Sequence, residues 1–268
     1  MSMYGTFMGG TPMCLDLQQI LDGWNRTARE RCARFLRAED GSDLVQLRID
    51  LGLLQMHADG RPDGSRDATL LDRASRALDA GQDIGEEEWE RLHRELQQFN
   101  YRRIALMELA GAEDDVGAAE DAEPWLQRAL RDTQHCLRIL QLESRHDRGR
   151  SENVSLLPTL ILNRTRLLAR IESLQNRPEQ AVDAIEDGLE ALRELMREAG
   201  CSEEQCRDDP TLNYLVQLSR RIRRRFHVRR TLREQLTDAV QREDYETAAR
   251  LRDELNRRPN ADSPQVEP

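Results

Sequence analysis

Two stretches of this chain superpose at an offset of 55 residues. Leu126 falls on Ala181, Ala129 on Ala184, Leu130 on Ile185, Leu137 on Leu192 and Leu140 on Leu195. The steps between them are those of one helix face, and each stretch follows an earlier helical segment. In the first unit, Trp89, Leu92, Leu96 and Phe99 recur at steps of 3, 4 and 3, with Ile104, Leu106 and Leu109 continuing the apolar content. This predicts a helix over roughly 86–110, stopped at Gly111. An acidic loop from Glu113-Asp114-Asp115 to Glu120-Asp121 then leads to Pro124, which suits a first helical turn and opens a helix to about Leu142. The second unit, between Val154 and Ala199, repeats the plan. A helix over Leu160 to Leu174 is followed by a Gln175-Asn176-Arg177 turn, and Pro178 opens the return helix. A lone helical hairpin cannot bury both faces, so units of this size stack. The expected fold is mainly α: stacked antiparallel helical hairpins over 85–200.

The amino-terminal third has a different period. In DLVQLRIDLGLLQM, residues 43–56, Val45, Leu47, Ile49, Leu51 and Leu53 alternate with Gln46, Arg48, Asp50 and Gly52, the signature of a half-buried strand. Cys32 to Arg37 offers a partner strand, and Glu39-Asp40-Gly41-Ser42 supplies the Asp-Gly pair that favours a tight turn. A small β-hairpin is expected within an α+β region of 1–84. The run Gly60-Arg61-Pro62-Asp63-Gly64 reads as a connecting loop, with an anion- or peptide-binding loop as the alternative.

Composition narrows the class further. The 268 residues carry 40 basic side chains, all of them arginine, and 50 acidic ones, a net charge of −10. Without lysine, Schiff-base chemistry, a phosphate-loop lysine and the kinase strand lysine are excluded. No apolar run is long enough to span a membrane, and the opening MSMYGTFMGGTPMC lacks the basic and apolar regions of a secretory signal. A cytoplasmic protein is expected. Its five cysteines, Cys14, Cys32, Cys136, Cys201 and Cys206, are odd in number and scattered, which predicts reduced thiols. At 38% hydrophobic and 4% aromatic residues, the packing should be thin and elongated.

The carboxy-terminal region, 201–258, carries the strongest signal. Leu215, Leu218, Ile222, Phe226, Leu232, Leu236 and Val240 trace one face of what reads as a single long helix. Within it, Arg220, Arg221, Arg223, Arg224, Arg225, Arg229 and Arg230 crowd into eleven residues. Residues 211–268 hold 13 arginines against 9 acids, a net of +4, so the remainder holds −14. Glu243-Asp244-Tyr245-Glu246 then turns the chain. Asp244 is a fitting N-cap for a second helix, on which Ala248, Leu251 and Leu255 face back toward Leu236 and Val240. Ala239, Ala248 and Ala249 permit close approach, and Tyr245 is expected to plug the closed end of the hairpin. Residues 259–268, with three prolines, predict a disordered tail.

These residues carry two resemblances. The second helical unit, with Leu168-Ala169, Ala181 and Ile185, resembles a tetratricopeptide-like hairpin, although the usual glycine and tyrosine of the first helix and the closing proline are missing. The segment Leu236 to Leu255 resembles the UVR motif shared by the UvrB and UvrC excision-repair subunits and by an arginine-kinase activator. It matches at the Ala239-Val240 step, the Glu243-Asp244-Tyr245-Glu246 turn and Ala248-Ala249-Arg250-Leu251-Arg252-Asp253. The resemblance implies a short hairpin that docks on another hairpin of its kind or on a partner protein, without catalytic chemistry. It covers 25 to 30 residues, and nothing upstream resembles helicase, nuclease or zinc-binding segments.

No reaction centre is evident. Cys201 and Cys206 lack a second ligand pair for zinc. His57, His93, His135, His146 and His227 are isolated, and no glycine-rich phosphate loop is present. The sequence therefore predicts neither catalytic residue, metal nor cofactor. The expected function is that of a bacterial protein–protein adaptor, not an enzyme, binding through Leu232, Leu236, Val240, Tyr245, Ala248, Leu251 and Leu255. Its partner would be another UVR-hairpin protein or a second copy. The alternative is a nucleic-acid-associated repair accessory gripping phosphates through the arginine run.

Overall fold

The computed structural model describes residues 21, 24, 32–50, 52–111, 122–146, 148 and 151–257, with residues 151–154 described by their backbone alone. The acidic stretch 113–121, the tail 259–268, Cys14 and Leu51 lie outside the described residues.

The sheet has one more strand than the alternation suggests. Strands β1 (Ala33–Arg37), β2 (Asp43–Ile49) and β3 (Gly52–His57) form an antiparallel sheet in sequence order. The Asp-Gly turn between β1 and β2 forms as expected, with Gly41 at φ 83° and Asp40 accepting from the Ser42 amide at 2.9 Å. The expected single strand over 43–56 is corrected to two, because the chain reverses between Ile49 and Gly52, which pair with each other. Val45, Leu47 and Met56 are buried against the helices. On the opposite face Arg34, Gln46 and Gln55 form a hydrogen-bonded row of 2.7 Å contacts across all three strands.

Helix α1 (Leu70–Asp79) was not foreseen. Thr69 caps it, accepting from the Asp72 amide, and Glu95 takes its first two amides, those of Leu70 at 2.7 Å and Leu71 at 3.2 Å. The main stack follows as α2 (Glu86–Ala110), α3 (Glu123–Arg145), α4 (Ser151–Leu174) and α5 (Pro178–Glu198). Gly111 ends α2 at φ 82°, Pro124 sits in the first turn of α3 and Pro178 in that of α5. Helix α4 begins nine residues before the expected Leu160 and carries Pro158 inside it. Each helix packs on the next, and the repeat is visible in the burial: Leu126, Ala129 and Leu130 are buried on α3, Ala181 and Ile185 on α5.

A short helix α6 (Glu203–Asp208) leads into α7 (Pro210–Phe226), which packs on α5 through Leu212, Leu215, Leu218 and Ile222. Here a second correction applies. The long basic helix ends at His227, which adopts the left-handed conformation with φ 55°, and the chain restarts as α8 (Leu232–Gln241) and α9 (Tyr245–Asn256). The six-residue step from Phe226 to Leu232 is out of helical phase, and Thr231 captures the amide of Glu234 and begins a new helix. No helix among the described residues is long and apolar enough to cross a membrane.

Candidate docking hairpin

Thr231 and Glu234 open α8 as a reciprocal pair. The Thr231 hydroxyl accepts from the Glu234 amide at 3.3 Å, and Glu234 Oε2 accepts from the Thr231 amide at 2.8 Å. At the other end, Glu243 at φ 58° turns the chain, and Asp244 Oδ1 caps α9 by accepting from the Thr247 amide at 3.1 Å. That hydrogen bond holds the Asp244 carboxyl below the ordinary aspartate range.

The two helices close on each other. Leu232, Ala239, Ala248 and Leu251 are buried between them, and Leu236 and Leu255 pack half-buried at the margins. Five of the seven sequence-nominated contact residues therefore meet in one seam, joined by Ala239. Val240 and Tyr245 do not: they are 52% and 70% exposed. At 3.6 residues per turn, Val240 is rotated about 80° from Leu232, and Tyr245 about 120° from Leu251, so both leave the buried stripe. The expected plug by the Tyr245 ring is thus corrected: the ring stands outside, beside the turn.

Charge pairs tie the hairpin to the stack. Arg223 Nη2 on α7 donates to Glu234 Oε1 at 2.6 Å, and Arg233 on α8 pairs with Asp187 on α5. Burial alone would raise the Glu234 carboxyl, but Arg223 and the Thr231 amide keep it below the ordinary glutamate range. Arg230 is likewise committed, to Asp238 at 2.9 Å. The arginine run accordingly divides. Arg221 and Arg223 are half-buried, whereas Arg220, Arg224, Arg225, Arg229 and Arg230 are exposed at the end of α7 and just beyond it. Cations there also complement the carbonyl end of the helix.

The match to known families falls on this hairpin: residues 228–257 fit the UvrB/uvrC motif. The chain carries a UVR motif. No curated protein and no solved structure gives a significant match. The UVR hairpin thus spans α8 and α9 together with the residues that link them to α7.

Sequence reasoning overlooked the Thr231–Glu234 box and the Arg233–Asp187 pair. The first was readable as Thr-x-x-Glu before an apolar run; the second joins residues 46 apart and had no local signal. Elsewhere, Cys201 is half-buried and Cys206 buried in the core between α5 and α7. Among the described residues no cluster of three or more His, Cys, Asp or Glu side chains could hold a metal ion.

Proposed function

We propose that this protein is a cytoplasmic bacterial adaptor that acts without catalysis and docks a partner protein through its UVR hairpin. One observation carries the reading. The hairpin closes its own interior and is held to the stack by ion pairs, leaving Val240 and Tyr245 exposed on either side of its turn. Exposed apolar side chains beside a rigid turn provide an anchor for association, with the surrounding charges selecting the partner. The motif is associated with protein interactions and with DNA-repair proteins, and the fitting partner is another hairpin of its kind, on a different protein or a second copy. The contact surface is narrower than the sequence implies, since Leu232, Ala248 and Leu251 are already covered within the hairpin.

The test is a pull-down with the full chain and with a Val240→Asp, Tyr245→Asp double variant. Both positions are exposed, so the fold should survive. Partner recovery is expected to fall with the variant; undiminished recovery rejects the reading.

A nucleic-acid-associated repair accessory has less support. Its basis is the exposed set Arg220, Arg224, Arg225 and Arg229, while Arg223 and Arg230 already serve carboxylates and the whole chain is at −10. Titrating single- and double-stranded DNA at low and high salt separates the two readings, and no binding at low salt dismisses this one.

A further inference from the structure

The carboxy-terminal part of the chain builds two apolar cores, and no residue belongs to both. Ile185, Leu189, Leu215, Leu218 and Ile222 fill the one between α5 and α7, with Phe226 packed at its edge. Leu232, Ala239, Ala248 and Leu251 fill the other, inside the UVR hairpin, with Leu236 and Leu255 at its margins. Units with separate cores move against each other unless a further interface binds them. Along the chain, α7 and α8 are joined by residues 227–231, of which His227, Arg229 and Arg230 are exposed. A few such residues at the end of an element are enough to absorb a hinge rotation.

The ties that cross from hairpin to stack are ionic. Arg223 donates to both oxygens of Glu234, at 2.6 Å and 3.3 Å, and Arg233 pairs with Asp187 of α5. These pairs are open to water: the Arg233 and Asp187 side chains are 53% and 50% exposed, and that of Glu234 41%. Ion pairs so placed hold weakly and are screened by salt. The hairpin's apolar seam has no charge to screen, so salt leaves it closed. Asp238 bonds Arg230 and Arg242, a network that lies within the linker and α8 and travels with them. Glu234 also answers the crowd of cations around Arg223, formed by Arg220, Arg224, Arg225 and Arg229. Their field favours the closed pair at low salt and fades as salt is added.

We infer that the UVR hairpin is a hinged arm on an ionic latch. The arm lies fixed against α5 and α7 while Arg223–Glu234 and Arg233–Asp187 are closed, and it swings about residues 227–231, with α8 and α9 still paired, when charge screening opens them. The latch thereby governs the direction in which Val240 and Tyr245 are presented. That consequence rests on the docking function proposed above, whereas the motion itself does not and is measured without a partner.

The test is backbone nitrogen-15 relaxation of the full chain at about 0.01 M and about 1 M salt, where the screening length is about 30 Å and about 3 Å. At low salt the amides of α8 and α9 should share the rotational correlation time of α5 and α7. At high salt theirs should fall at least about twofold, while the heteronuclear NOE over residues 236–255 stays as high as in the stack. A Glu234→Gln, Asp187→Asn chain should be released already at low salt, because glutamine keeps the cap of α8 and removes only the charge. Asp253→Asn, whose partner Arg252 sits beside it on α9, should stay latched. Independent tumbling of the unaltered chain at low salt overturns the inference, as does a common correlation time that survives both high salt and the double substitution. Release by Asp253→Asn, or a collapse of the NOE that shows the hairpin melting in place of swinging, overturns it too. Partner recovery by the Val240→Asp, Tyr245→Asp chain reads docking alone, so the two proposals fail separately.

Discussion

Arg102 and Asp132 face each other through two parallel hydrogen bonds, Nε to Oδ2 at 2.6 Å and Nη2 to Oδ1 at 2.8 Å, with neither side chain reached by solvent. The pair links α2 to α3, and the remaining Arg102 nitrogen reaches the loop after β3. Removing Asp132 leaves the Arg102 charge buried without a counter-ion, and removing Arg102 leaves the buried Asp132 with the Arg131 Nε contact at 3.1 Å in place of its bidentate partner. Arg102→Leu or Asp132→Asn should each lower stability by about 3–5 kcal/mol, and the Arg102→Leu, Asp132→Leu double variant by less than the sum. Urea unfolding of the four chains measures this; strictly additive losses would contradict it.

Asp59 gives a pH signature. The hydrogen bond from Arg128 lowers its carboxyl to about 2, with Arg131 contributing. Because the folded value is depressed, its stabilising contribution is complete above the unfolded value of roughly 3.9 and is lost as pH falls toward 2. Carboxyl chemical shifts should show Asp59 titrating near the lower limit. Asp59→Asn should flatten the stability profile between those two pH values, and an unchanged profile would refute the assignment.

Gly188 on α5 packs against Thr165 on α4 so closely that a Cβ would lie 2.6 Å from its Cγ2 and nearer still to the hydroxyl. Gly188→Ala gains about 1 kcal/mol in helix propensity but meets an overpacking cost of about 1–3 kcal/mol. The expected net result is a lower denaturation midpoint, partly restored by adding Thr165→Ala. A midpoint that rises would show that the helices separate without cost.

His227 marks the break between α7 and α8. Its left-handed backbone tolerates glycine and penalises β-branched side chains. His227→Gly should be nearly neutral, and His227→Val should cost about 1–2 kcal/mol. A continuous helix would give the opposite order, so thermal unfolding of the two variants decides between them.

The helices were legible wherever period and punctuation agreed. Gly111 and Pro178 bound elements at the places where their backbone constraints demand it, and the offset repeat placed Leu126 and Ile185 correctly in the core. The third strand was hidden because apolar residues recur at odd positions through Leu53, whereas the reversal between Ile49 and Gly52 moves the core face to Leu54 and Met56. Helix α1 was missed although Leu70, Leu71, Ala74 and Leu78 have helical spacing, because the loop signal of Gly60 to Gly64 dominated the reading. At the UVR hairpin the local pattern identified the seam but not its edge: Val240 and Ala239 are neighbours in sequence, and the pitch of the helix alone decides which of them is covered. The Glu95–His135 contact at 2.9 Å had no sequence signature, because 40 residues separate the two in the chain.

Glu234 Oε2 accepts from the Thr231 amide at the start of its own helix, and both carboxylate oxygens accept from Arg223 of the stack. Swivelling the UVR hairpin away from the body therefore loosens the first turn of that same hairpin. A binding partner that levers on the Tyr245 tip would feel the stiffness of the whole helical array through Glu234 and the Arg233–Asp187 pair, and replacing Glu234 would leave a hairpin that is at once freer to rotate and more frayed at its root.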